Sequence, residues 1–195
     1  MLDEPRLLAA NPWVTRRPIT VVEYHRMGEV GILGKRDRVE LIEGELVAMS
    51  PIGSYHQGTV NQLTHSLVQS IGEHAVVSVQ GPVRLDDFSE PEPNFALLKP
   101  RPDFYRAAHP GPSDVLLLIE VADTSLNYDR AVKRALYARH AIPELWIVDL
   151  NAGEVEICRQ PDASGYAAIT RVNRDGVLEP DMLPGVRIQA ATLFR

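Results

Sequence analysis

A carboxylate at the end of an apolar run sets the chemistry this sequence can do. Leu116-Leu117-Leu118-Ile119-Glu120 carries Glu120 into what reads as the end of a buried strand. An ionised carboxylate is rarely buried unless something pairs with it. Glu120 is therefore half of a structural ion pair or part of a metal site. Asn94 opens another apolar segment, and Glu43 ends a strand-like stretch. Asp129 and Lys133 are one helical turn apart and share a face. Hard cations such as Mg²⁺ take oxygen ligands, commonly one or two carboxylates with water and substrate phosphate. A lysine beside them stabilises developing negative charge. Carboxylates, a cation and a lysine suit phosphodiester hydrolysis. The spacing alone leaves the structural reading open, with Asp129 and Lys133 as a solvent-exposed helix pair worth about 0.3–0.5 kcal/mol.

The elements that must position these residues follow from pattern. Thr20 and Glu23 have capping-box spacing, so a short helix runs from Val21 to about Gly28. Arg38–Glu43 and Leu46–Met49 alternate around Gly44-Glu45 and read as a hairpin. Val60, Leu63, Leu67, Val68 and Ile71 have helical spacing within 56–71. Ala75–Val79 and Pro82–Leu85 read as a strand pair or bent strand, residues 86–94 as loop, and Phe95–Leu98 as a short strand. A Pro-rich excursion over 100–113 precedes the strand Val115–Val121. A helix over about Tyr128–His140, capped by Ser125 or Asn127, stops before Pro143, and Leu145–Leu150 is the next buried strand. Strand, helix, strand makes those two strands parallel. Hairpin segments at 154–159 and 167–171 lead outward, with Leu183–Val186, Leu193 and Phe194 packing at an edge. The fold class is mixed α/β (α+β), with an arm over 1–19 and one domain over 20–195.

Composition narrows the function. A net charge of −6 gives no global attraction to nucleic acid or anionic lipid. Cys158 is the single cysteine, which excludes an intrachain disulfide or a thiolate zinc cluster. With no apolar run of membrane-spanning length and no signal-peptide pattern at the start, a cytoplasmic location with no membrane partner is expected. No Gly-rich phosphate loop, serine elbow or His-x-x-x-His pattern occurs. His56 opens a helix; local hydrogen bonding is favoured over a substrate contact by about two to one. Trp13 and Tyr105 could stack on bases, although such aromatics more often dock on their own protein.

The ordered motifs Val39–Leu46, Ser50-Pro51 with His56-Gln57, Pro91–Asn94, Ile119-Glu120-Val121, Asp129 with Lys133, Tyr137-Ala138 and Ile142–Asp149 resemble the Uma-type restriction-endonuclease family, a branch of the PD-(D/E)XK nuclease superfamily. The likeness covers roughly 20–160. It implies a restriction-endonuclease-like fold, a mixed central sheet flanked by helices, and Mg²⁺ (or Mn²⁺)-dependent cleavage of DNA. The family's acidic position after Pro-x-Pro falls on Asn94, its strand-end glutamate on Glu120 and its basic residue on Lys133. Ala122 stands where many relatives in the superfamily carry that lysine. Glu43 falls on a further acidic position. The expected site is thus Asn94, Glu120, Lys133 and Glu43, with metal on Asn94 and Glu120 and a substrate contact from His56. Asn94 departs from the expected Asp and weakens cation binding. Asp103, within the Pro-rich excursion, is a poor substitute. A homodimer is the default for a protein cutting two strands. The alternative is a non-catalytic nucleic-acid-binding or homo-oligomeric module on the same fold.

Overall fold

Thr20 and Glu23 set the first element of the computed structural model, which describes residues 15–34 and 37–194. Most of the arm, including Trp13, lies outside them. The Thr20 hydroxyl accepts from the Glu23 amide at 3.2 Å, and the Glu23 carboxylate accepts from the Thr20 amide at 3.0 Å. This capping box opens helix α1 (Val21–Glu29).

The hairpin β1 (Val39–Ile42) and β2 (Glu45–Ala48) follows. Its loop is Glu43-Gly44, with φ of 49° and 78°. Two consecutive positive values suit the twist of a two-residue hairpin. A Cβ on Gly44 would lie 2.4 Å from Pro18 Cβ and 2.8 Å from Pro18 Cα. Gly44→Ala is therefore expected to cost about 2–4 kcal/mol from left-handed strain and overpacking, read as a lower urea midpoint. An unchanged midpoint would show that Pro18 yields freely.

Helix α2 (Ser54–Ile71) buries Val60, Leu63, Leu67 and Ile71. Val68, counted with them in the sequence, is exposed. Six strands form the main sheet: β3 (Val76–Val79), β4 (Phe95–Leu98), β5 (Val115–Ala122), β6 (Glu144–Asp149), β7 (Glu154–Asp162) and β8 (Gly165–Asn173). They lie side by side in chain order. Only β5 and β6 pair in parallel, as the crossover requires. Pro82–Leu85 is not a strand. Val83 and Leu85 alternate in burial, but their amides bond back to Pro91 and Ser89 within their own loop. A small pair, β9 (Val177–Leu178) and β10 (Ile188–Gln189), precedes the terminal turn Ala190–Phe194.

The crossover helix α3 spans 126–139. It is regular over Leu126–Tyr128, widens to a π-turn over Asp129–Lys133, and is regular again over Arg134–Arg139. Such wide turns often occur at functional sites. Ser125 stands at its start but makes no side-chain cap.

Strand parity divides the core. Phe95, Leu97, Leu117, Ile119, Val121 and Trp146 pack beneath α2 with Leu183, Val186, Leu193 and Phe194. Those last four, expected at an edge, thus belong to one face of the sheet. Ala96, Leu98, Leu118, Ala122, Leu145 and Ile147 face Leu136 and Tyr137 of α3. The result is a mixed central sheet flanked by helices, the architecture the sequence implies. No described helix is long and apolar enough to cross a membrane.

Candidate functional site

Residues 118, 120 and 122 lie on one side of β5, so Glu120 faces α3 together with Leu118 and Ala122. Phe95 pairs with Ile119 across the β4–β5 ladder, which sets Asn94 opposite Glu120, one step beyond the last paired residues. The Asn94 amide N–H donates to Glu120 Oε2 at 3.4 Å, and Asn94 Oδ1 accepts from the Val121 amide at 2.8 Å. Asn94 Nδ2 lies 3.3 Å from His56 Nε2, at the start of α2.

Helix α3 supplies the remaining partners. Lys133 Nζ donates to Glu120 Oε1 at 3.1 Å, and the Tyr137 hydroxyl donates to the same oxygen at 2.7 Å. Lys133 also lies 3.2 Å from Glu40 Oε2. Glu40 further accepts from the Tyr128 hydroxyl and from the Glu92 amide, each at 3.2 Å. Asp129 accepts from Ser125 Oγ at 2.7 Å. Glu40, Glu120, Asp129 and Lys133 are 1–5% exposed. The expected surface pair Asp129/Lys133 is therefore buried: both lie in the widened turn, and Lys133 meets Glu40 and Glu120 rather than solvent.

The five sequence-selected positions do not all meet. Asn94, Glu120, Lys133 and His56 line one cavity of about 580 Å³. Glu43 does not join them: it occupies the hairpin tip and pairs with Arg139 at the surface. Glu40, three residues earlier on β1, occupies the place beside Lys133. Glu92, Asp123 and Asp129 extend the acidic wall. The polar member of an alternating strand, rather than the turn residue after it, was the available signal for Glu40. Asp103 pairs with Arg101, and Tyr105 stacks under Arg101 and donates to the Lys99 carbonyl. Arg130 and Arg134 pair with Glu156, and His140 with Asp86, so these basic residues of 130–140 are matched by acids.

The cavity's charges are unbalanced. Among the described residues, Glu40, Glu92, Glu120, Asp123 and Asp129 share the lining with two cations, Arg38 and Lys133. Burial pushes the Glu120 carboxyl up to about 7, although the Lys133 ammonium opposes the shift. Burial also raises Asp129, against Lys133, and raises Glu92, with Glu40 adding repulsion. Burial alone would lower Lys133, but Glu120, Glu40 and Asp129 outweigh it and hold the amine above its ordinary value. Lys133 is thus a fixed ammonium at neutral pH. Burial lowers His56, keeping its imidazole neutral there, and its buried Nδ1 has no hydrogen-bond partner among the described residues.

The fold is shared with a solved structure. A crystal structure described as a "putative nuclease belonging to DUF820" from Anabaena variabilis ATCC 29413 superposes with a TM-score of 0.69. The match is 13% identical and covers 91% of this chain and 98% of that one. The family model described as "Uma2: Putative restriction endonuclease" matches residues 21–191, and the chain belongs to that family. No curated protein matches it.

Proposed function

We propose that this protein is a divalent-cation-dependent endonuclease hydrolysing DNA phosphodiester bonds, with activity reduced by Asn94. One observation carries the reading: Asn94, Glu120 and Lys133, from three separate segments, converge on one acid-rich cavity. The oxygen donors and surplus of carboxylates fit a hard cation such as Mg²⁺ or Mn²⁺. Glu120 and Asn94 would hold it, with Glu40 and Glu92 as nearby acids in place of Glu43. When bound, the cation would polarise a phosphoryl oxygen and acidify a water. Lys133, fixed as an ammonium, stabilises charge developing on the phosphate and is no general base at neutral pH. Neutral His56 offers a hydrogen bond to phosphate or water. A cytoplasmic homodimer, with one site for each strand, completes the proposal.

One observation favours a non-catalytic nucleic-acid-binding or homo-oligomeric module: Asn94 Oδ1 is already engaged by the Val121 amide, and Asn brings no charge. That module would bind nucleic acid in a salt-dependent manner without cutting it, or would assemble with itself alone.

Glu120→Gln separates these readings. Cation affinity of the wild type should rise as pH increases through about 7, when Glu120 ionises, and the Gln variant should bind weakly with no such rise. Without cation, the stability contributed by the raised Glu120 pKa is fully present below about 4.5 and declines as pH rises to about 7. The Gln variant should therefore gain on the wild type across that window in urea titrations. Calorimetry and plasmid cleavage complete the test. A folded Gln variant that retains wild-type cleavage and cation affinity would refute the site.

A further inference from the structure

A second cluster lies outside the acidic cavity. His25 of α1, Glu90 of the 81–94 loop and His109 of the 99–114 loop each place one ligand atom within 4.8 Å of the others. His25 Nε2 is 2.6 Å from Glu90 Oε1. The His25 and His109 rings meet edge to face, with centroids 5.7 Å apart. Glu90 is 2% exposed, and its Oε2 has no hydrogen-bond partner among the described residues. A buried carboxylate oxygen without a partner is costly, so the pair with His25 leaves half of this group's capacity unused.

The three segments are held in place by main-chain bonds. The Val21 amide donates to Asp87 O, fixing the start of α1. The Arg84 amide donates to Pro110 O, fixing the residue after His109. The Glu90 amide donates to Leu41 O, fixing the buried ligand against the hairpin. Two imidazoles and a carboxylate are a zinc-type donor set, with bonds of about 2.0–2.2 Å and a fourth position left for water. The exposed imidazoles can adjust around the fixed carboxylate to reach such bond lengths.

We propose that His25, Glu90 and His109 bind one Zn²⁺, which ties α1 and both loops to the hairpin edge. This site is independent of the acidic cavity and does not rest on its activity. The test is Zn²⁺ titration of chelator-treated full-length protein by calorimetry, with melting temperature as a second readout. Both histidines are exposed, so their removal leaves the core intact. One Zn²⁺ per chain is expected. Affinity should fall by at least about tenfold in His109→Ala, since even outer-sphere losses cost that much, and binding should vanish in His25→Ala/His109→Ala. Zn²⁺ should raise the wild-type melting temperature and leave that of the double variant unchanged. Glu120→Gln should retain this Zn²⁺. No uptake by the wild type, or equal uptake and equal thermal shift in the double variant, overturns the proposal.

Discussion

Replacing Asn94 with Asp is expected to raise Mg²⁺ or Mn²⁺ affinity by roughly 10- to 100-fold and to raise any DNA cleavage with it. The side chain keeps its shape, and its oxygen can still accept from the Val121 amide at 2.8 Å. What changes is charge. A unit charge about 4 Å from another contributes about 4 kcal/mol at an effective dielectric constant of 20. Desolvation and repulsion by Glu120 oppose that gain, leaving roughly 1–3 kcal/mol, which corresponds to the stated factor. The same repulsion acts when no cation is bound. The Asp variant should therefore melt below the wild type in chelator and recover when divalent cation is added. Calorimetry and paired melting curves read both effects. An Asp variant with unchanged affinity would place the cation away from position 94.

Removing the Lys133 charge should have the largest effect on stability. Lys133→Met leaves Glu120 Oε1 and Glu40 Oε2 without the ammonium now 3.1 and 3.2 Å away. Breaking a buried pair from one side costs about 3–5 kcal/mol, because the remaining charge stays buried. Protonation relieves that cost, so the deficit should shrink at low pH and grow as the carboxylates ionise. Adding Glu120→Gln should recover part of the loss, since it removes one stranded charge and leaves Glu40 as the other. Urea denaturation of the four chains of this double-mutant cycle measures the coupling. A loss of under about 1 kcal/mol, independent of pH, would mean that the ammonium is not the counter-charge of this cluster.

The sequence displayed much of this arrangement because its signals are local. The Thr20/Glu23 spacing specified a real capping box, and the strand–helix–strand pattern specified the parallel β5–β6 pair. The continuous apolar run before Glu120 specified a buried strand, but a run without alternation does not say which face of the sheet Glu120 takes. The departures come where local pattern and tertiary position part. Glu43 looks like a strand end, but Gly44 makes the two residues a turn, so the chain has already left the cavity. Asp129 and Lys133 have the spacing of a surface pair, but their side of the helix packs against distant strands that bring Glu40 and Glu120 to Lys133. Val83 and Leu85 alternate like a strand, but their amides are taken within their own loop. The His25–Glu90–His109 grouping has no sequence signal, since its members are 65 and 19 positions apart.

The hairpin that carries Glu40 shares no ladder with the six-stranded sheet that carries Glu120. The two halves of the acidic wall are thus built separately, and two-stranded hairpins hold poorly by themselves. Lys133 touches a carboxylate on each half and acts as a clasp across the seam. A gain or loss of charge at either carboxylate is then felt mechanically, as a change in how firmly the hairpin is fastened to the body of the molecule.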